Sequence, residues 1–473
     1  MPDDIGDLSA VSLAQAIRAR KLSPVEVVGA ALARAERLQP AFNCFIEICA
    51  DRAMREARLA EKAVMVGDAL GALHGLPFSA KDLVTTEGVR TTFGTVMFKD
   101  NVPKEDAVSI RRLRDAGAIL IGKTTTPEFG SKPFTDSPLF GRTRNAWSAG
   151  RTSGGSSGGA AVATAIGIAP LAVATDGGGS TRIPAAANGV VGIKQTIGLI
   201  PHDSAQDAIG NQTYVTPTTR NVADTALMLQ VMAGEASCDP WSVGQSRDFP
   251  VPVPHQGALR GCRLRMRLTP NDEPVSGEVA RVFGSALARL GEAGAHVEEM
   301  PALGIDIEPV WRIINHTNWR ARFAALVERD PAGFSATFRR QLDSAASYAA
   351  TEFQEAMFRR TALFRRVQEL LEGADLLIMP TLTRTALDID GDIFDKIEID
   401  GRTFDSIRAH WYPWTMPFNM TGHPAISIPC GLASDGLPVG MQIVARHRQD
   451  AYLLRVAAAI EAILPIDARP ALP

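Results

Sequence analysis

From about residue 73 onward the chain alternates short apolar runs with helical ones, and this alternation limits its fold more than any other feature. "LPFSAK" precedes the helical "DAVSIRRLRDAG". "AILIGK", "LAVAT", the helical "NVADTALMLQVMAG", "CRLRMRL" and the helical "SGEVARVFGSALARLGEAG" come after it. Short apolar runs bounded by turn residues read as strands, and strands interleaved with helices build a sheet with helices packed on it. The expected class is α/β: a single large domain over residues 1–473, its central mixed sheet flanked by helices. Residues 1–70 read as an N-terminal helical segment. There "KLSPVEVVGAALARAERL" offers Ser23 as a cap, Pro24 at the first helical position and Glu26 to close a capping box. Residues 71–235 read as the core. About 240–410 read as a mainly helical insertion that lines the substrate, entered through the proline-rich "DFPVPVPHQG". Residues 415–463 return to the core with two strands and a helix.

Composition narrows the class. With 45% hydrophobic and 21% charged residues the chain matches an ordinary globular protein. Its net charge of -3 gives no general attraction for nucleic acid or anionic lipid. The longest low-charge stretch, Ala160 to Thr175, is interrupted by Gly167 and Pro170. It falls short of the roughly 20 residues that span a bilayer. The acidic start "MPDDIGDLSAVS" has no secretory pattern. Five scattered cysteines without a CxxC pair fit reduced thiols better than disulfides or a zinc site. The expectation is a cytoplasmic monomer or homodimer with neither a nucleic-acid nor a membrane partner.

Two motif matches fail on mechanism. "GAILIGKT" fits the phosphate-loop expression letter for letter, but "AILI" is itself the strand and Pro127 follows where a helix should begin. "GGSSG" fits the nucleophile elbow, yet the preceding "RNAWSAGRTS" is polar and turn-rich, so no strand delivers the serine. His423 in "TGHPAIS" reads as a turn residue before a strand.

What survives is a pair of glycine-rich turns, "GGSSGG" (Gly154–Gly159) and "DGGGS" (Asp176–Ser180). A helix from Ser157 to Ile168 covers about 18 Å, and the strand "LAVAT" returns about 16 Å. Ser180 is therefore expected beside Ser156. A serine needs an adjacent base to act as nucleophile. A buried lysine can be that base, because desolvation disfavours its ammonium. Lys81, carried inward by the apolar "LPFSA", is the candidate, against the plainer reading of a solvated lysine at a strand end.

"LHGLPFSAKDLVTTEGVRTTFG", "LRDAGAILIGKTTTPEFG", "GGSSGGAAVATAIGIAPLAVATDGGGSTRIPAAANGVVGIK" and "FNMTGHPAISIPCGLASDGLPVGMQIVA" together resemble successive blocks of the amidase signature family. The resemblance implies a Ser-cisSer-Lys triad, here Ser180, Ser156 and Lys81. It implies an oxyanion hole from the N–H groups of Gly177, Gly178, Gly179 and Ser180, and a structural pair in Asp176 and Arg182. Gly155 and Ser157 flank the middle serine, and no metal or organic cofactor is implied. Three positions depart from the commoner pattern: Gly177 replaces isoleucine or threonine, Ala146 replaces proline, and Gln195 stands in "GIKQT".

The implied activity is hydrolysis of carboxylic amides through an acyl-enzyme on Ser180, with a small-molecule amide and water as partners. Esters and carbamates (urethanes) are further substrates open to such a site. Trp311, Trp319, Trp411 and Trp414 are expected to line an apolar or aryl pocket, with core packing as their alternative role. Two other readings share the blocks: the glutamine-hydrolysing subunit of a tRNA-dependent amidotransferase, and a catalytically silent binding protein.

Overall fold

Eleven strands form one sheet: β1 (Phe45–Ile48), β2 (Pro77–Lys81), β3 (Ile119–Thr124), β4 (Leu171–Asp176), β5 (Val191–Lys194), β6 (Tyr214–Thr219), β7 (Arg263–Met266), β8 (His296–Glu299), β9 (Leu376–Pro380), β10 (Ala425–Leu432) and β11 (Pro438–Val444). Their spatial order is β1-β3-β2-β4-β6-β5-β10-β11-β9-β7-β8. The computed structural model describes residues 2–254 and 257–473. Met1, and His255 and Gln256 of the proline-rich connector, lie outside the described residues.

The sheet is mixed. β2 runs parallel to β3 and β4, and β9 runs parallel to β7. The strands from β4 through β6, β5, β10, β11 and β9 pair antiparallel. β2, β3 and β9 are buried along their whole length, polar Ser79, Lys81 and Lys123 included, because both faces of the sheet are covered there. The phosphate-loop lookalike is accounted for here, since Gly122 and Lys123 lie inside β3.

Segment 240–410 does more than insert helices. It supplies β7, β8 and β9, the far edge of the sheet, besides the long helices Ile307–Arg329 and Ala350–Leu371. Those helices close a second apolar core with residues of 407–420, including Trp411 and Trp414. The helix expected after Ser157 is shorter than its reading, Gly158–Ala165, and a left-handed Gly167 leads into β4. Ala160 packs against Ala172 and Ala174. Such small side chains let helix and strand approach closely, and the two glycine-rich turns end side by side.

Candidate active site

Lys81 is the last residue of β2 and has no solvent-accessible surface. Its Nζ donates to Ser156 Oγ at 2.7 Å, Ser157 Oγ at 2.8 Å and Thr175 Oγ1 at 2.8 Å. Three neutral acceptors do not replace the hydration of an ammonium. Burial therefore pushes the Lys81 pKa well below its ordinary value, and the Asp176 charge only partly offsets this. Ser157 N–H donates to Ser180 O at 3.0 Å, which ties the two glycine-rich turns together. The Gly155–Ser156 peptide bond is cis. The sequence expects a Lys81–Ser156–Ser180 relay, and the structure forms its first leg. Among the described residues no hydrogen bond joins the Ser156 and Ser180 hydroxyls; both residues line the same cavity.

The turn after β4 is braced from three sides. Asp176 accepts from Gly179 N–H at 2.7 Å and Thr181 N–H at 3.2 Å, and from Arg182 Nε and Nη2, each at 3.0 Å. Trp311 Nε1 donates to Gly177 O at 2.8 Å, and Thr415 Oγ1 donates to Gly178 O at 2.6 Å. With its carbonyl held by Trp311, the Gly177–Gly178 peptide turns its N–H the other way. The N–H groups of Gly177, Gly178 and Ser180 have no protein acceptor among the described residues, and all three residues line the cavity. Gly179 departs from the sequence expectation, since its N–H is spent on Asp176 and it is absent from the cavity wall. Glycine is required at 179 by its φ of +123°. At 178 it is required because a Cβ would meet the Trp311 ring at 2.9 Å.

Burial by itself would raise the Asp176 carboxyl. The Arg182 guanidinium, with hydrogen bonds from Asn419 and Gly179, outweighs it and holds the pKa down at about 2. Both members of this ion pair are inaccessible to solvent. Arg182 also donates to Gln442 Oε1 at 2.7 Å and Asn419 Oδ1 at 2.6 Å. The pair pins the turn to the strands and helix of residues 416–444.

The cavity holds about 740 Å³, within the range of ligand sites. Its aromatic wall comprises Phe93, Phe129, Trp311, Trp319, Phe323 and Tyr412. Phe129 lies 4.1 Å from Phe323 between ring centroids, and Trp319 meets Trp311 edge-on at 6.0 Å. Phe93 and Phe129 each adopt a left-handed backbone, at φ +54° and +49°, and each precedes a left-handed glycine. That conformation is rare for a bulky residue, and here it presents two rings to one cavity. Trp411 and Trp414 do not line it, contrary to expectation. Trp411 donates to Arg384 O at 3.2 Å, Trp414 stacks on Phe418, and both are core.

Several contributors carried no sequence signal. Thr175 reads as one more residue of the strand before the glycines. Asp82, beside Lys81, accepts from Thr92 N–H at 2.9 Å and Gly94 N–H at 3.2 Å, which shapes the loop bearing Phe93. Burial pushes its pKa up to about 6 even with Lys123 nearby. Two of the family departures have local reasons. Ala146 N–H donates to Asn188 Oδ1 at 2.9 Å, a bond that proline cannot make. Gln195 Nε2 donates to Val215 O at 2.9 Å. His423 is a buried turn residue bonded to Thr421 Oγ1 and Gln368 Oε1.

A mixed sheet carrying a buried lysine–hydroxyl network beside a glycine turn with free N–H groups defines a class of amide hydrolase. The amidase family model matches residues 26–454. The chain belongs to the amidase signature family and is a hydrolase of amide C–N bonds. It is 36% identical to an acylamidase of Rhodococcus erythropolis over 98% of this chain and 97% of that protein. It is 33% identical to a glutamyl-tRNA(Gln) amidotransferase subunit of Acidothermus cellulolyticus, over 96% and 94%. Among solved structures, a bacterial aryl acylamidase superposes with a TM-score of 0.89 at 30% identity, covering 97% of this chain and 96% of that one. The 6-aminohexanoate cyclic dimer hydrolase bound to its substrate gives 0.86 at 30% identity, covering 99% of each. Among the described residues no helix is long and apolar enough to cross a membrane.

Proposed function

We propose that this chain hydrolyses apolar or aryl amides through an acyl-enzyme on Ser180, and that esters and carbamates are secondary substrates. The observation that carries this reading is the fully buried Lys81 bonded to Ser156 Oγ at 2.7 Å. An uncharged Lys81 takes the Ser180 proton by way of Ser156, and Ser180 attacks the carbonyl carbon. Contacts of this kind are often long in an unliganded site and tighten in the substrate complex. The resulting oxyanion is met by the N–H groups of Gly177, Gly178 and Ser180, which need no reorganisation at that moment. The same proton returns to the leaving nitrogen, and water then releases the acid. The aromatic wall and the resemblance to acylamidases support an apolar leaving or acyl group.

A panel of anilides, primary amides, aryl carbamates and nitrophenyl esters tests the substrate class, with anilides expected to lead. Ser180→Ala is expected to abolish both turnover and labelling by a fluorophosphonate; labelling that persists refutes the nucleophile. The amidotransferase relatives at 33% identity keep a second reading open: glutaminase activity that depends on a co-purifying partner would favour it over the first.

A further inference from the structure

Charge is distributed unevenly around the cavity. Of the carboxylates on its wall, Asp176 is committed to Arg182, and Asp207 accepts from Gly210 N–H at 2.8 Å. Lys132 is paired with Asp136 at 2.6 Å and Asp392 at 3.2 Å. Two guanidiniums on the wall have no such answer. Arg322 rests on the ring of Phe323, 4.8 Å from its centroid, with no ion pair among the described residues. Arg408 is the more telling, because it is only 5% exposed.

Arg408 has no carboxylate within salt-bridge reach among the described residues. Its Nη2 donates to neutral acceptors, Gln341 Oε1 at short range and Ser131 O at 3.5 Å. Its Nε is buried without an acceptor, and so is Gln341 Nε2. The guanidinium lies over the Trp311 ring, 5.3 Å from the centroid. That indole is itself bonded to Gly177 of the glycine turn. A buried cation with no countercharge and an unmet donor is costly unless something completes it. Here it lines the substrate cavity, one indole away from the turn that faces the reacting carbonyl.

We propose that Arg408 is a carboxylate-binding residue of this cavity, and that the preferred substrates are aryl or apolar amides carrying one carboxylate, such as dicarboxylic acid monoanilides or acylated aminobenzoates. This rests on the reading of the cavity as the amidase site. The aromatic wall takes the apolar body of the substrate. The Arg408 guanidinium, on the cavity wall, meets the carboxylate, and Arg322 adds a second positive charge at the rim. A guanidinium suits this role because its planar fork matches a carboxylate.

The test uses matched pairs that differ only at the carboxylate. One is glutaric acid mono-4-nitroanilide against the 4-nitroanilide of 5-methylhexanoic acid, and the other is 4-acetamidobenzoate against 4-isopropylacetanilide. In the wild-type enzyme the charged member of at least one pair is expected to show kcat/KM on the order of 10- to 100-fold higher, the range of a charged hydrogen bond. Arg408→Gln is expected to bring that ratio toward one, with Arg408→Lys retaining part of it. A second measurement needs no variant: 4-phenylbutyrate is expected to inhibit the wild type at least tenfold more tightly than 4-phenylbutanol. Preference for the neutral member in both pairs, a ratio unmoved by Arg408→Gln in folded protein, or equal inhibition by acid and alcohol would each overturn the proposal. Turnover of the neutral members alone sinks the carboxylate subsite and leaves the amidase reading standing. No turnover of any pair, with no nitrophenyl ester cleaved, overturns both.

Discussion

Replacing Asp176 with asparagine is the sharpest probe of how the turn is held. The substitution keeps shape and volume but removes the charge opposite Arg182 and points an amide N–H₂ at groups that are themselves donors: Arg182, Gly179, Thr181 and Asn419. Breaking one side of a fully buried ion pair costs about 3–5 kcal/mol, because the remaining charge stays buried. Unfolding entropy of about 2.1 cal/mol/K per residue gives about 1 kcal/mol/K for this chain, so Tm should fall by about 3–5 °C. The effect also has a pH signature. The folded carboxyl sits at about 2 against an ordinary 3.8, a depression worth about 2 kcal/mol. A depressed acid contributes its stability in full above its unfolded pKa and loses it as pH falls through the folded value. The gap between wild type and D176N should therefore be constant above about pH 4 and narrow by about 2 kcal/mol toward pH 2. Thermal unfolding followed by circular dichroism at several pH values reads both effects. A Tm change under 1 °C, or a gap that widens in acid, would refute the claim that this pair locks the turn.

Three further outcomes follow from the same geometry. Because burial lowers the Lys81 pKa well below 10.5, kcat/KM for a neutral anilide should rise with pH through that lowered value and level off well short of pH 10. Lys81→Met should cost about 10²–10⁴ in rate, and a rate that continues to climb up to pH 10.5 contradicts the burial argument. Trp311→Phe removes the 2.8 Å bond to Gly177 O and should lower kcat about tenfold, the value of roughly one hydrogen bond, when steady-state kinetics are compared. Ala146→Pro deletes the donor to the buried Asn188 Oδ1 and should destabilise by about 1–3 kcal/mol, readable as a loss in urea midpoint.

The amino-acid sequence made the local elements legible and pointed to the candidate site groups. The capping box of Ser23 and Glu26 opens the helix Pro24–Phe42 as read, and β2, β3 and β4 fall on their apolar runs, because capping and burial pattern are properties of neighbours along the chain. The glycine-rich turns around Ser156 and Ser180 stand out because unusual residue types are concentrated in short segments, whereas the choice of Lys81 and of the Asp176–Arg182 pair rests on the resemblance to the amidase signature family. Which distant groups complete the site depends on packing across the sheet. Thr415 and Asn419 reach the glycine turn from more than two hundred residues away. Trp311 and Trp319 line the cavity while Trp411 and Trp414 do not. Gly179 gives its N–H to Asp176 rather than to a substrate. Side chains brought together across a sheet leave no period or spacing in the chain. A tryptophan that fills a core and one that faces a cavity look alike until their neighbours are known.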